Sequence, residues 1–131
     1  MIDQRISKFM NRHVLCGGPD TPLGTVFEQM LSRGQDAFVV REEGEPIGMI
    51  TSRDAIEILG RSFAGATHRS VVSSSVMTTP VQTLPENATM GELIQVIRAG
   101  GFRHVPIVDD NGRLSGIVDL LAIHDATINA L

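Results

Sequence analysis

The chain contains an internal repeat, and this repeat limits what it can fold into. Residues 11–63 align with residues 79–131 at a constant offset of 68 without a gap. The matched positions are mostly glycine and apolar residues: Gly48 with Gly116, Met49-Ile50 with Ile117-Val118, and Ala37-Phe38-Val39-Val40 with Val105-Pro106-Ile107-Val108. Halves of about 60 residues are marginal folds alone, so we expect each to stabilise the other. Such twins usually pack about a pseudo-twofold axis, and a ligand cleft is expected between them.

Composition narrows the class of protein. The 131 residues suit one compact module, and 42% of them are hydrophobic. No run of apolar residues is long enough to cross a bilayer, and the first residues lack a signal peptide. The single cysteine, Cys16, cannot form an internal disulfide, which favours a cytoplasmic location. The net charge of −4 and the absence of Trp and Tyr argue against nucleic acid as a partner.

Each half is predicted to fold as a short strand, a helix, two strands and a second helix, which is a small α/β unit. Thr21 is predicted to cap the first helix with Pro22 at its first position, and Thr89-x-x-Glu92 forms a capping box. Residues 1–16 form an amphipathic lead-in, and residues 62–76, rich in Ser, Ala and Gly, are predicted to be a linker.

The repeated pattern resembles a tandem pair of CBS domains (the cystathionine-β-synthase domain), also called a Bateman module. The resemblance covers nearly the whole chain, from about residue 8 to residue 128, and the segments that carry it are Gly48–Asp54, Val76–Leu84, Phe102–Val108 and Asp109–Val118. The resemblance divides the chain into a first repeat with its lead-in, residues 1–66, and a second repeat with the linker, residues 67–131. It implies two small sheets with packed helices, related by a pseudo-twofold axis.

The resemblance also implies a function. CBS pairs are regulatory modules that bind adenosine derivatives such as AMP, ATP, S-adenosylmethionine or NAD in the clefts between their repeats. They commonly form homodimers and pass a signal to an effector, either a partner protein or a fused domain. We therefore expect a cytoplasmic ligand sensor with no nucleic acid and no membrane as partners. The alternative is a dimerisation scaffold that needs no ligand.

Thr51 and Asp54 are the leading candidates for ligand contact. Taken alone, the motif Thr51-x-x-Asp54 at a strand-to-helix junction is a capping box, which needs no ligand. A helix N-terminus also suits a phosphate, and a carboxylate can accept two hydrogen bonds from a ribose diol. In the family, this hydroxyl and this carboxylate contact the ribose and phosphate region. The intervening Arg53 belongs to the same motif.

The resemblance places the other wall of this site in the second half of the chain. The residues that would surround the adenine and reach the phosphate are Pro80, Val81, Gln82, Phe102, Arg103 and His104. Taken alone, Arg103 is equally a solvated surface charge, and His104 a half-buried histidine satisfied by the backbone. No nucleophile, acid–base pair or metal-ligand spacing is visible, so no enzymatic activity is expected.

The symmetry-related second site is predicted to be damaged. At the offset of 68, Asp119 replaces Thr51 and Ala122 replaces Asp54. The ribose-binding carboxylate is therefore lost, and a new negative charge would repel a polyanion. Asp119 also has a simpler interpretation, as a cap for the last helix. The other wall of this second site would come from residues 11–14 together with Gln35 and Asp36. We expect one competent nucleotide site in each chain.

Overall fold

The computed structural model describes residues 2–63, 71–121, 123–124 and 128, and these contain two three-stranded sheets and three long helices. The elements in chain order are β1 (Cys16–Gly17), α1 (Leu23–Arg33), β2 (Ala37–Glu42), β3 (Glu45–Thr51), α2 (Ser52–Phe63), β4 (Leu84–Pro85), α3 (Met90–Gly100), β5 (His104–Val108) and β6 (Leu114–Asp119). The predicted α/β repeats are confirmed. Of the predicted last helix, from Leu120 to about Asn129, the structure describes residues 120, 121, 123, 124 and 128, and each of them is helical.

The two sheets have the same topology. In each, the middle strand pairs in parallel with a two-residue strand and antiparallel with the strand that follows it, giving the orders β1-β2-β3 and β4-β5-β6. The hairpin between β2 and β3 turns through Glu43 and Gly44, which both have positive φ. A two-residue turn of this kind matches the twist of the flanking strands.

The chain forms two compact units, which we call the continuous unit and the split unit. The continuous unit is Leu15–Val81, whereas the split unit combines Met1–Val14 with Gln82–Leu131. The sequence predicts a single division between residues 66 and 67, whereas the structure divides the chain after Val14 and after Val81. The lead-in belongs with the second sheet, and residues 71–81 belong with the first.

The lead-in closes the split unit through one buried side chain and several backbone bonds. Its helical content is only a 3₁₀ turn, Ile6–Lys8, instead of the longer amphipathic pattern predicted. Ile6 is 0% exposed and lies in the core with Met90 and Leu93. The N–H groups of Met90 and Gly91, at the start of α3, donate to carbonyls of the lead-in at 2.8 and 3.0 Å. These bonds satisfy donors that the helix itself leaves open.

The predicted linker is packed structure where the structure describes it. Ser73 is 0% exposed, and its hydroxyl donates to the Gly18 carbonyl at 2.6 Å. Further along, Thr78 pairs with Met49 of β3, so the segment extends the first sheet. The prediction of a linker is therefore wrong for residues 71–76. Residues 64–70 lie outside the described part of the chain.

The two capping predictions have different outcomes. The Thr89 hydroxyl accepts from the Glu92 N–H at 3.2 Å, so the predicted cap of α3 is confirmed. The helix α1, in contrast, begins at Leu23 with Pro22 in the cap position and no side-chain cap. The prediction that Thr21 caps this helix is wrong. The Leu23 N–H is satisfied instead by the Val71 carbonyl at 3.0 Å.

The structures of the two repeats match only if a one-residue gap is placed in the hairpin, which the sequence alignment does not show. Gly34 and Gly101 both end a helix in the left-handed conformation, and they are 67 residues apart rather than 68. In the strands, Phe38 pairs with Ile50, whereas Val105 pairs with Val118, one residue farther along the chain. The second hairpin therefore holds one extra residue. The predicted match of Phe38 with Pro106 is wrong, and Val105 is its structural equivalent.

Candidate functional site

The junction of β3 and α2 brings Thr51 and Asp54 together. Asp54 Oδ2 accepts a hydrogen bond from the Thr51 N–H at 2.8 Å and another from the Thr51 hydroxyl at 3.2 Å. Both residues are half-buried. The carboxylate also lies in the first turn of α2, where its negative charge interacts favourably with the positive end of the helix dipole. The capping interpretation of this motif is confirmed for Asp54.

The Asp54 carboxylate can still accept hydrogen bonds from a ligand through its second oxygen. Within the described part of the chain, Asp54 Oδ1 makes no hydrogen bond, since both of this side chain's bonds use Oδ2. A carboxylate oxygen can accept two hydrogen bonds, as from the two hydroxyls of a diol. The bond from Thr51 holds the carboxylate in place, so a ligand would find it already oriented.

A second carboxylate lies beside the start of α2. The Ser52 N–H donates to the Asp36 carbonyl at 3.0 Å, and the Ser52 hydroxyl lies 3.2 Å from Asp36 Oδ1. The sequence predicts Asp36 for the wall of the other site and does not reveal this contact with Ser52. An offset of 67 before β2 places Asp36 over Arg103, and the structure supports that match. The Leu120 N–H donates to the Arg103 carbonyl at 2.9 Å, as Ser52 does to Asp36.

The remaining predicted residues of the continuous unit are Arg53, Pro80 and Val81. The Arg53 side chain is 87% exposed, and its Nε lies 4.0 Å from Glu57 Oε1 one turn along α2. Pro80 is exposed and Val81 is half-buried. The preceding Thr79 donates through its hydroxyl to the Ile47 carbonyl at 2.9 Å, which attaches this segment to β3.

Gln82, Phe102, Arg103 and His104 belong to the split unit. Gln82 donates through Nε2 to the Thr83 carbonyl at 3.0 Å. Phe102 is 36% exposed, and its ring lies against Gly100 at the end of α3. Arg103 is exposed and His104, the first residue of β5, is half-buried. That these four residues act in the same ligand site as Thr51 and Asp54 stays a prediction.

The predicted second site is described only in part. Asp119 ends β6 opposite His104, as Thr51 ends β3 opposite Ala37, so its equivalence to Thr51 is confirmed. Ala122, which replaces Asp54, lies outside the described residues. The loss of a competent site there therefore stays a prediction.

Two features are absent from the described residues. They contain no group of three or more His, Cys, Asp or Glu side chains placed to hold a metal ion. No helix among them has the length and apolar character required to cross a membrane.

Comparison with known proteins identifies the class. The model of the CBS domain family matches the chain twice, over residues 6–61 and 72–127. The chain therefore belongs to the CBS domain family. It is a tandem CBS pair, which is a regulatory module, and the fold predicted from the resemblance is confirmed.

Individual proteins are similar to most of this chain. An uncharacterized protein of Methanopyrus kandleri, MK0525, is 33% identical over 117 residues, which is 88% of this chain and 58% of that protein. Among solved structures, the CBS-domain protein ATU1752 from Agrobacterium tumefaciens is 28% identical with a TM-score of 0.80, covering 95% of this chain and 99% of that one. The CBS domain pair of MJ0100, in complex with 5′-methylthioadenosine and S-adenosyl-L-methionine, has a TM-score of 0.85 at 18% identity and covers 98% of both chains.

Proposed function

We propose that this protein is a ligand-sensing module that binds an adenosine-containing compound at the start of α2. The observation that carries the proposal is the Asp54 carboxylate, held by Thr51 at 2.8 Å through one oxygen while the other makes no hydrogen bond in the described part of the chain. In the proposed complex, Asp54 accepts from the ribose hydroxyls. Membership of the CBS family supports the proposal, as does the complex of the MJ0100 pair with two adenosine compounds.

The proposed site has a definite chemical character. Charge-assisted bonds from hydroxyls to a fixed carboxylate are stronger than neutral ones, which suits selection of an intact ribose. The family resemblance predicts that Phe102 and His104 supply apolar and backbone contacts to the base. Binding would then shift the equilibrium between two conformations of the module. The size of this shift is set by the difference in ligand affinity between the two conformations. We propose that an effector, in a partner protein or a fused domain, receives this shift.

A panel of adenosine compounds tests the proposal. Calorimetry and thermal unfolding of the full chain are measured with 5′-methylthioadenosine, S-adenosylmethionine, AMP, ATP and NAD. At least one compound is expected to raise the unfolding midpoint, since a ligand at 100 times its Kd adds about 2.7 kcal/mol of stability. The variant Asp54→Asn is expected to lose about tenfold or more in affinity, because a charged acceptor is removed.

A matched control separates the ligand role of Asp54 from its role as a cap. Thr89→Ala removes the cap of α3, where Thr89 accepts from Glu92, and lies in the split unit. It is expected to lower the midpoint while leaving ligand affinity unchanged. The proposal is wrong if no adenosine compound binds, or if both variants reduce affinity equally.

We also propose that the module acts as a homodimer. Helix α2 presents Ile56 and Leu59, which are 69% and 53% exposed and lie three residues apart on one face. Neighbouring Gly60 has open space around it, so another helix can approach closely at this point. An apolar strip of this kind is costly in water and suits a second copy of the chain. Sedimentation of the wild type should give a dimer, and Leu59→Lys a monomer; a monomeric wild type would contradict the proposal.

A further inference from the structure

We propose that the site at the start of α2 selects adenosine compounds with a neutral or positively charged 5′ substituent over compounds with phosphate there, and that Asp36 imposes this selection. The inference rests on the proposed function, because it specifies which adenosine compounds the Thr51–Asp54 site accepts. The contacts and charges of the site belong to the continuous unit, and the equivalent position of the split unit serves as a comparison.

The first observation is that the backbone donors at the start of α2 are partly occupied. The Thr51 N–H donates to Asp54 Oδ2 at 2.8 Å, and the Ser52 N–H donates to the Asp36 carbonyl at 3.0 Å. Phosphates bind at helix N-termini through such N–H groups, which have no partner inside the helix. Two of these donors are therefore unavailable to a phosphate at this site.

The second observation is the sign of the charge around the same turn. Asp54 lies in the first turn of α2, and Asp36 Oδ1 lies 3.2 Å from the Ser52 hydroxyl. Both carboxylates already complement the positive end of the helix dipole. The cation of this turn, Arg53, is 87% exposed and lies 4.0 Å from Glu57. A phosphate near Ser52 would therefore meet two like charges, whereas a neutral thioether or a sulfonium cation would not.

The third observation comes from the twin position in the split unit. Arg103 occupies the place of Asp36, since its carbonyl accepts from the Leu120 N–H at 2.9 Å as the Asp36 carbonyl accepts from Ser52. The shared contact uses backbone atoms only, so it does not require a carboxylate. The fold accepts either sign of charge at this position. The shared backbone contact therefore does not account for the acidic side chain beside Ser52.

The experiment compares Asp36→Asn with the wild type by calorimetry at low ionic strength, using 5′-methylthioadenosine, S-adenosylmethionine and AMP. Asparagine keeps an oxygen that can accept from Ser52, so the local fold is expected to persist. In the wild type, 5′-methylthioadenosine should bind about tenfold more tightly than AMP, and the variant should bind AMP about fivefold more tightly than the wild type does. The affinity of the variant for 5′-methylthioadenosine should change less than about twofold, since this ligand is neutral.

The control is Glu28→Gln, which removes the same charge from an exposed position on α1. It should leave the affinities for all three compounds unchanged. Tighter binding of AMP than of 5′-methylthioadenosine by the wild type would overturn the inference and favour the phosphate contact predicted for Arg103. An equal response of AMP to Asp36→Asn and Glu28→Gln would overturn it as well. Both results leave the proposed function standing. Failure of all three compounds to bind overturns the inference, and the proposed function falls as well if ATP and NAD do not bind either.

Discussion

The two units share one topology but bury the same position by different physical means. Ile6 and Ser73 each begin a 3₁₀ turn in the segment that closes a unit, and each is 0% exposed. Their backbone N–H groups make equivalent bonds, to Ala88 at 2.9 Å and to Thr21 at 2.8 Å. Ile6 then packs into an apolar cluster, whereas the Ser73 hydroxyl donates to the Gly18 carbonyl at 2.6 Å.

This difference teaches that the backbone pairing, rather than a particular side chain, defines the closing segment. Burial of an apolar side chain stabilises the folded state, whereas a buried hydroxyl destabilises it unless the hydroxyl has a hydrogen-bond partner. The split unit is therefore expected to depend strongly on Ile6. The continuous unit is expected to depend on a hydrogen bond whose net contribution is smaller.

Ile6→Ala gives the largest expected effect. Removing a fully buried side chain leaves a cavity in the core of the split unit, so the free energy of unfolding should fall by about 3 kcal/mol. Urea denaturation followed by circular dichroism measures this loss. Leu31→Ala, at a side chain that is 84% exposed on α1, is the control and should change little. Equal losses in the two variants would show that Ile6 does not anchor the lead-in.

Ser73→Ala is expected to have a smaller effect. The variant removes one donor from the half-buried Gly18 carbonyl, which keeps a bond from the Thr21 N–H at 3.2 Å, so the loss should be about 1 kcal/mol in the same denaturation experiment. Ser74→Ala, an exposed neighbour in the same turn, is the control. A Ser73→Ala loss as large as that of Ile6→Ala would remove the contrast between the two closing segments.

Gly34→Ala and Gly101→Ala test the structural offset of 67. Both glycines have positive φ, 61° and 68°, with open space around the missing side chain. Alanine pays a conformational cost of about 1 kcal/mol in this region, so the two variants should lose similar stability. Gly24→Ala, inside α1, should instead gain up to about 1 kcal/mol. Clearly unequal losses at the two caps would contradict their equivalence.

Thr89→Ala against Thr21→Ala gives the smallest expected difference. Thr89 accepts from the Glu92 N–H at 3.2 Å, and its loss should cost about 1 kcal/mol, or about 4 °C in the unfolding midpoint. Thr21 makes no side-chain cap for α1, so its replacement should cost less than about half as much. Differential scanning calorimetry resolves the two. A larger loss at Thr21 would restore the symmetric capping that the sequence predicts.

Much of the local structure was predictable from residues close together in the chain. The hairpins, the Thr89 cap and the glycine ends of α1 and α3 depend on backbone conformations within one turn. The approach of Thr51 to Asp54 was predictable for the same reason, since three residues at a helix start are neighbours. These features require no knowledge of the distant chain.

Several features of the structure were not predictable from residues that are neighbours in the chain. The burial of Ser73, the pairing of the lead-in with the second sheet, and the contact of Asp36 with Ser52 each join residues far apart in the chain. The one-residue difference between the hairpins was hidden because the glycines at 48 and 116 still align at 68.

The amino-acid sequence alone determined that the chain is a duplicated α/β module, because repeated apolar patterns and turn residues act locally, and its resemblance to CBS pairs indicated the family. Only the tertiary structure decided which terminal segment completes which sheet and which carboxylates share the start of α2. Those outcomes depend on long-range backbone pairing and on the burial of single side chains such as Ile6. Several pairings satisfy the same local preferences, and the packed core selects one of them.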